Sequence, residues 1–342
     1  MTKREFLKVL GMGAGVVIAP PVRAAAQRRI LGADTAGDFP VPGGSPEFRR
    51  VLAGIRAGDA RAHGALTVFW LHGRAQAPLL QISTLEEARA RGDLLITERQ
   101  QPTVTDLIVD NRGKTHVLLL AGEILVGGKQ NRIVTEDILL TPLSGPVNIG
   151  VYCVEQGRWA GRTTEFSAKG GFAASGLRSR VMERADQQQV WGEVTRYSGR
   201  VGAASPTESY QAIYDKAEVK KHQQEVERTL DHRAAPGALG AAVFVGEKLA
   251  GLDLFEDAGL FVRQWPKLLR AHAIETYGLP APGDRKERRL KARVQDLLGK
   301  AATVDGTVRR NAGVGRLFEF RVDVFRGSAL MAEGQVVHAA IL

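Results

Sequence analysis

The feature that most constrains the fold is a series of short apolar or alternating segments between residues 94 and 154. Such runs of about four to eight residues are typical of β-strands. Glycine-containing turn signals at 111–113, 127–128 and 144–146 separate them, and no long helical pattern lies between neighbouring runs, which argues against a parallel, doubly wound sheet. We therefore predict an α+β protein with a largely antiparallel β-sheet and packed helices. The predicted strands are 94–97, 104–110, 116–121, 133–140 and 147–154.

Helix signals flank this β-rich stretch. Ser45-Pro46 predicts a helix start with proline at the first helical position, and Thr84 with Glu87 forms a capping box. The segment 205–208 (SPTE) combines both signals and predicts a helix that reaches His232 and mostly faces solvent. Residues 161–176 are rich in glycine and are predicted to be a loop.

The organisation predicted for residues 46–342 is a single domain, which follows a linker at 27–45. It divides into a β-rich lobe at about 60–160, a helical segment at about 183–233 and a second α/β lobe at about 238–342. The pattern Gly-Glu-x-Leu-x-Gly occurs at 122–127 and again at 246–251. This match leaves open a duplicated β-unit, and so two related β-lobes.

Residues 1–26 have the order of a bacterial export signal. Lys3, Arg4 and Lys8 precede an apolar run at 9–19, and three alanines end the segment. The run is shorter than the about 20 residues that span a bilayer, so we expect no transmembrane anchor after signal removal. Lys3-Arg4 resembles a twin-arginine motif with lysine in the first position, which leaves the export route open. The predicted location is periplasmic or secreted.

Composition excludes several classes of site. Cys153 is the single cysteine, so neither an intramolecular disulfide nor a multi-cysteine metal site can form. The seven histidines lack metal-ligand spacing, so we predict no metal site, and no particular cofactor is indicated. The formal net charge of +10 falls to about +7 without the signal, since that segment holds four basic residues and one acidic residue. The basic run at 285–293 predicts an amphipathic helix and has no aromatic side chains to stack on bases, so nucleic acid is not an expected partner.

Two glycine-rich segments imitate nucleotide-binding motifs. Gly11, Gly13 and Gly15 lack the preceding strand that a dinucleotide fingerprint needs. The segment from Gly122 to Lys129 has the wrong glycine spacing for a phosphate loop, and Gln130 stands where that loop needs a hydroxyl. Neither segment therefore has a nucleotide-binding motif.

The first candidate site lies at a turn between two apolar strands. It contains Glu123 as a candidate catalytic carboxylate, and Lys129, Gln130 and Arg132 as candidate ligand-binding residues. A planar guanidinium suits a carboxylate or phosphate, and a glutamate can act as a base or accept a hydrogen bond from a diol. The alternative is a turn in which Glu123 and Arg132 form an ion pair that only stabilises the fold.

The second candidate group follows the strand at 147–154. Glu155 is a second candidate catalytic residue, Arg158 could orient a ligand, and Trp159 could stack on a base or sugar. A core indole beside a structural Arg158–Glu155 pair remains the alternative. Cys153 is expected to be a small buried hydrophobe, and His338 either a general base or a satisfied core histidine.

Several of these segments together resemble a known family. The runs 117–132 (VLLLAGEILVGGKQNR) and 151–159 (VYCVEQGRW), with 189–191 (QVW) and Val337-His338, are similar to the ADP-ribosylglycohydrolase and rhodanese-phosphatase-superfamily-associated protein domain. The resemblance covers about residues 60–342. The family's name reflects genomic company, so it implies a link to nucleotide or ADP-ribose chemistry and assigns no catalytic residue.

Two functions follow as expectations. The first is an exported domain that binds or hydrolyses a small anionic ligand of the nucleotide or ADP-ribose type through a Glu/Gln/Arg pocket. The alternative is a non-catalytic periplasmic module that binds a protein partner or a glycan. Convergence of Glu123, Arg132, Glu155 and Arg158 in one pocket would favour the first function, and their dispersal as surface pairs the second.

Overall fold

The computed structural model describes residues 38–74, 77–99, 105–158, 161, 163–231, 233 and 235–342. Within these residues the chain forms eight helices and eighteen strands, so the α+β prediction is confirmed. The helices are α1 (Pro46–Gly54), α2 (Leu85–Ala90), α3 (Ser175–Met182), α4 (Gln187–Val201), α5 (Gln211–Asp215), α6 (Ala217–Thr229), α7 (Ala258–Thr276) and α8 (Glu287–Ala302). The strands are β1 (Phe39–Val41), β2 (Arg56–His63), β3 (Leu66–His72), β4 (Ile82–Thr84), β5 (Leu94–Thr97), β6 (Asp106–Asn111), β7 (His116–Leu119), β8 (Glu123–Gly127), β9 (Arg132–Val134), β10 (Ile138–Leu140), β11 (Gly145–Cys153), β12 (Phe166–Phe172), β13 (Gly240–Val245), β14 (Lys248–Leu254), β15 (Gly306–Arg310), β16 (Arg316–Val322), β17 (Phe325–Ala332) and β18 (Gln335–Ile341). The predicted export signal lies outside the described residues.

The largest sheet has nine antiparallel strands in the order β1-β15-β16-β17-β18-β14-β13-β3-β2. Side chains alternate across it, as the pleat of a strand requires. On β3, Phe69 and Leu71 join the core that includes apolar residues of α1 and α8, whereas Val68 and Trp70 join the core that includes α7. The sheet is thus covered by helices on both faces, and this explains why β3 is buried from Leu66 to Leu71.

A second sheet of six strands closes almost into a barrel. Its order is β12-β8-β9-β11-β6-β5, and the two edge strands meet at a bridge between Thr97 and Glu165. The backbone N–H of Glu98 also donates to the Thr164 carbonyl at 3.1 Å. Closure pairs the backbone groups that two open edges would otherwise leave exposed. Apolar side chains fill the interior, including those of Leu107, Val109 and Ile149.

A small third sheet joins the two larger ones. Strand β7 pairs antiparallel with β10 and parallel with β4. Val117 and Leu119 enter the barrel core, while Leu118 and Leu120 enter the core that includes α7. The run of consecutive buried apolar residues in this segment therefore reflects contact on both faces.

The strand predictions are largely confirmed, with one correction. The predicted strand 133–140 is two strands, β9 and β10, separated by Thr135, Glu136 and Asp137. Thr135 donates from Oγ1 to the Gly150 carbonyl at 2.9 Å, and Asp137 accepts from the Ala121 N–H at 2.9 Å. Polar side chains bound in this way interrupt the ladder and turn the chain between the two sheets.

Two further predictions were wrong. No helix begins at Ser205, because its Oγ accepts the N–H groups of Thr207 and Ser209 within a turn in which Glu208 has a φ of 51°. Helices α5 and α6 follow instead, and α6 buries Val219, Gln223 and Val226. The predicted loop at 161–176 contains strand β12 and the start of α3, because pairing with β8 stabilises an extended glycine-rich segment.

The helical segment forms its own apolar cluster with the barrel. Residues of α3, α4, α5 and α6 pack with Ile124 of β8 and Ile133 of β9. The first strands of the predicted β-rich lobe, β2 and β3, lie in the nine-stranded sheet. The two Gly-Glu-x-Leu-x-Gly segments also have different settings. The second forms the β13–β14 turn and the start of β14, and the first leads from β7 into the barrel strand β8. No helix in the described ranges has the length and apolar character needed to cross a bilayer.

Candidate functional site

A partly open cavity of about 190 Å³ lies where the β9–β10 connection meets the nine-stranded sheet. Its walls come from both sheets, and Asn311 helps to join them by donating from Nδ2 to the Asp137 carbonyl at 2.8 Å. The polar side chains that line it are Thr135, Glu136, Asp137, Tyr152, Arg184, Arg309, Glu319, Arg326 and Ser328. A cavity with a few convergent polar groups is the usual form of a small-molecule site.

A row of alternating charges is buried behind one wall of this cavity. Asp137 lines the cavity and accepts from His338 Nδ1 at 2.6 Å. The other nitrogen of His338, Nε2, lies 3.0 Å from Asp253 Oδ1, which also pairs with Arg178 Nη1 at 2.7 Å. Arg178 donates further from Nε to the Ala121 carbonyl at 2.9 Å. All four side chains are at most 3% exposed, so these interactions hold Asp137 in one orientation.

The charge states along this row follow from the contacts. Burial alone disfavours an imidazolium, but Asp137 and Asp253 outweigh it and raise the pKa of His338. Burial likewise opposes ionisation of Asp253, but Arg178 and His338 hold its pKa well below the ordinary range. His338 therefore donates from both nitrogens, and it is a charged positioning group more than a free base.

Arginines dominate the opposite side of the cavity. Arg309 pairs with Glu136 at 2.6 Å and with Glu319 at 2.9 Å, and Arg184 pairs with Glu319 at 3.1 Å. Arg326 has no side-chain hydrogen bond or ion pair with the residues that the structure describes. Three guanidinium groups thus face two carboxylates, since the charge of Asp137 is already balanced by His338. The cavity wall carries an excess positive charge centred near Arg326.

Hydroxyl groups complete the lining. The side chains of Ser328 and Tyr152 line the cavity and make no hydrogen bond within the described part of the chain. Burial raises the pKa of Tyr152, so its hydroxyl stays protonated at neutral pH. A free guanidinium, two free hydroxyls and an oriented carboxylate can together hold an anionic group beside hydroxyl groups.

Glu123, a predicted catalytic residue, lies apart from this cavity. It is fully buried at the start of β8 and forms an ion pair with Lys267 of α7, whose ammonium also lies 3.0 Å from Glu86. Burial raises the pKa of Glu123 to about 7, although Lys267 opposes this. For Lys267 the two carboxylates outweigh burial and raise the pKa. This cluster joins the barrel to α7, and Glu123 does not line the cavity beside Asp137.

Glu155 and Arg158, the second predicted pair, form a hydrogen-bonded network at the end of β11. Arg158 donates to Glu155 at 2.7 Å and to the Gly128 carbonyl at 2.7 Å. Glu155 also accepts from Thr207 Oγ1 at 2.6 Å and from the Asn131 N–H at 3.0 Å. Burial opposes ionisation, but these donors outweigh it and lower the pKa of Glu155. The network ties the β8–β9 turn to the turn at 205–208.

Gln130 and Arg132 continue this network inward. Gln130 donates to the Glu155 carbonyl at 2.8 Å, and its Oε1 lies 3.1 Å from Cys153 Sγ. Arg132 is fully buried and donates from Nη1 to Gln130, while its Nε and Nη2 have no partner among the described residues. The turn requires glycine at position 127, since a Cβ there would collide with the Glu165 carbonyl.

The predicted residues are therefore brought together only in part. Arg132, Glu155 and Arg158 share one network with Gln130, whereas Glu123 belongs to the separate cluster with Lys267. The backbone N–H of Lys129 donates to Glu98 at 2.7 Å, and both residues line an open groove at the barrel end. Trp159 lies outside the described residues. The four residues Glu123, Arg132, Glu155 and Arg158 thus do not share one pocket, and they are not dispersed as exposed surface pairs either.

Sequence reasoning missed Asp137, Asp253, Lys267 and Arg326. Two of them carry a signal that single-sequence analysis could use, namely a charged residue within an otherwise apolar run. Asp253 stands in the apolar run 252–255 (LDLF) at the end of β14, and Lys267 stands between Trp265 and Leu268 on an apolar helix. A buried charge needs a partner, so each predicts an ion pair without identifying the partner. The described residues contain no group of three or more His, Cys, Asp or Glu side chains placed to hold a metal.

The chain matches a known protein family over most of its length. The model of the ARG and Rhodanese-Phosphatase-superfamily-associated Protein (ARPP-1) domain matches residues 54–342. No curated protein and no solved structure matches the chain. The matched range includes the barrel, the nine-stranded sheet from β2 onward and every residue that lines the cavity. The chain therefore belongs to the ARG and Rhodanese-Phosphatase-superfamily-associated Protein domain family.

Proposed function

We propose that this protein is exported and that its folded part binds the ribose-phosphate portion of a nucleotide- or ADP-ribose-like ligand in the cavity beside Asp137. The observation that carries the proposal is the unpaired guanidinium of Arg326 in a cavity wall that also presents free hydroxyls. Export rests on the sequence of residues 1–26 alone.

The size of the cavity selects the kind of ligand. A volume of about 190 Å³ holds a compact group such as a phosphorylated sugar, and it does not enclose a complete dinucleotide. An adenine or a second phosphate would extend toward the solvent. Arg326 would receive the phosphate, and the Asp137 carboxylate would accept hydrogen bonds from ribose hydroxyls.

Hydrolysis is a possible extension of this binding role, and it assigns Asp137 a specific task. Its two oxygens already accept from Ala121 and His338, which orients the group, and a carboxylate retains further acceptor sites. In that position it could take a proton from a water molecule or hold a ribose hydroxyl. His338 would hold the carboxylate in place and would not itself meet the ligand.

The test measures binding of ribose 5-phosphate, ADP, ADP-ribose and inorganic phosphate by calorimetry. Arg326→Gln should weaken binding of the phosphorylated sugars by about 10- to 100-fold, which is the usual range for one hydrogen-bonded charge. Arg321→Gln is the matched control, since Arg321 is the cross-strand neighbour of Arg326 but does not line the cavity. Chromatography of ADP-ribose after incubation with wild type and with Asp137→Asn separates binding from hydrolysis.

Failure of every member of the panel to bind the folded wild type would contradict the proposal. That result would leave the interaction module as the function to pursue. Equal loss with Arg321→Gln and Arg326→Gln would show a general effect of surface charge and would also contradict a site at Arg326.

A further inference from the structure

A second cavity, of about 510 Å³, lies between the helices α3 and α4 and the strand β14. Ser175 is the first residue of α3, lies on the wall of this cavity and is half-buried. Its Oγ is 3.4 Å from Nδ1 of His272, which projects from α7 and is 4% exposed. A serine that faces a cavity with a buried histidine directly behind it has the arrangement of a nucleophile and its base.

The surroundings of His272 keep the ring uncharged, so that Nδ1 is available as an acceptor. Burial lowers its pKa to about 4, so the ring is neutral at pH 7. Asp253 acts in the opposite direction and favours the protonated form. The ring packs against Gly251, where a Cβ would lie 3.3 Å from His272 Cε1, so glycine leaves the ring its space. A hydrogen bond from Ser175 requires the tautomer with the proton on Nε2.

The backbone around Ser175 can stabilise negative charge. The helix α3 begins directly after a strand and a two-residue connection, and no side chain caps its first turn. The N–H of Gly176 donates to the Tyr197 hydroxyl at 2.9 Å, and this hydroxyl is held in turn by Glu275. The Gly176 N–H is therefore occupied, and what favours a developing oxyanion beside Ser175 is the positive end of the α3 helix dipole.

We propose that Ser175 and His272 form a nucleophile–base pair that hydrolyses a carboxylic ester in this cavity. Ser175 Oγ attacks the ester carbonyl as its proton passes to His272 Nδ1. The ester C–O bond then breaks, and the alcohol leaves with that proton. Water attacks the resulting acyl-serine, transfers a proton through His272, and releases the carboxylic acid and free Ser175.

The lining indicates the class of ester. Leu249, Val324 and Phe325 provide an apolar wall. Arg200 pairs with Glu275 at 3.1 Å, whereas Lys248, also on the wall, makes no ion pair with any described residue. We expect an ester that combines an apolar group with a negative charge. This activity does not depend on the ribose-phosphate proposal, because the two cavities share no lining residue.

The first experiment treats the full chain with a fluorophosphonate, which reacts with activated serines, and measures the intact mass. One adduct should form and map to Ser175, and Ser175→Ala should form none. His272→Gln should slow the reaction by at least ~100-fold, as expected for loss of a general base. Ser198→Ala is the control, because Ser198 is also half-buried on a helix but does not line this cavity.

A second measurement uses p-nitrophenyl butyrate and the p-nitrophenyl monoester of glutaric acid as probes. The wild type should prefer the anionic ester, and Lys248→Gln should reduce this preference in kcat/KM. Absence of an adduct on the folded wild type would overturn the proposal, as would an adduct at another residue. If His272→Gln fails to fold, the adduct at Ser175 and its loss in Ser175→Ala still decide the assignment of the nucleophile. An unchanged rate in a folded His272→Gln variant would remove the base.

Discussion

At the scale of single residues, buried charges determine how the protein is held together. Lys267 meets Glu123 from the barrel and Glu86 from α2, so one ammonium is surrounded by two carboxylates. One ammonium cannot balance two carboxylates. Glu123 is the fully buried one of the two, and its pKa rises to about 7. Glu86 has the opposite shift, because Lys267 and local hydrogen bonds outweigh burial and lower its pKa.

The stability of the protein should therefore depend on the charge of Glu123. Its folded pKa of about 7 exceeds the ordinary value of 4.5, so the folded state holds a proton that the unfolded state releases between these values. The stabilising contribution is complete below pH 4.5 and is lost as the pH rises through about 7. Glu123→Gln stays uncharged, so the unfolding midpoint of the wild type should fall relative to that of this variant between about pH 5 and about pH 8. Thermal unfolding at both pH values measures the difference.

Glu86→Gln is the matched control, because it removes the other carboxylate around the same lysine. A lowered pKa contributes stability above the ordinary value of 4.5 and loses it only as the pH falls, so its deficit should change little between about pH 5 and about pH 8. A constant midpoint difference between the wild type and Glu123→Gln over this range would contradict the raised pKa.

At the scale of elements, the partners of a segment decide its form. The residues 205–208 have the sequence of a helix start, but Ser205 uses its side chain within a turn that also reaches Glu155 through Thr207. Local hydrogen bonds of serine compete with helix formation, and the contacts to β11 decide the outcome. In the same way, the glycine-rich strand β12 is extended because β8 supplies hydrogen bonds to it.

Helix α6 should exchange its amide hydrogens faster than β7. It buries Val219, Gln223 and Val226, and much of the rest of its surface faces solvent, whereas Val117, Leu118 and Leu119 of β7 are fully buried between two cores. Protection follows burial and local contacts, so native-state hydrogen exchange followed by mass spectrometry should show weaker protection in 217–229. Similar protection factors in the two elements would show that α6 opens only with the whole domain.

At the scale of the whole molecule, the barrel and the nine-stranded sheet are joined through side chains as well as through β7. His338 and Asp253 lie on β18 and β14, while Asp137 lies on the connection next to the barrel strand β9. The cavity beside Asp137 exists because two sheets meet there. Its chemistry therefore depends on contacts between residues far apart in the sequence.

Export makes a prediction about the complete chain. A signal peptidase that reads small residues at 24 and 26 would leave a mature chain beginning near Gln27. Expression in a bacterium with an intact export system should yield that product in the periplasmic or secreted fraction, as measured by intact mass. Replacing Lys3 and Arg4 with glutamine should retain the precursor inside the cell. A full-length mass with Met1 in a purely cytoplasmic protein would refute export.

By itself, the sequence determined the features that depend on neighbours along the chain. The short runs, turn signals and caps at Ser45 and Thr84 predicted most strands, two helix starts and the α+β class, because apolar periodicity and capping act over a few residues. The family was also recognisable from the runs at 117–132 and 151–159.

Only the tertiary structure decided which polar residues meet. Glu123 is 144 positions from Lys267, and Asp137 is 201 positions from His338, so no local pattern indicates either pair. Packing of α7 against the barrel brings Lys267 to Glu123, and contact between the β9–β10 connection and the nine-stranded sheet brings Asp137 to His338. The need of a buried charge for a partner then selects these contacts. Gln130, Arg132, Glu155 and Arg158 lie within 28 positions of one another (roughly one hairpin and one strand), so sequence reasoning could group them, although it placed Glu123 in the same predicted pocket. The cavity beside Asp137 and the pairing of Ser175 with His272 arise from packing between sheets and helices that are distant in sequence.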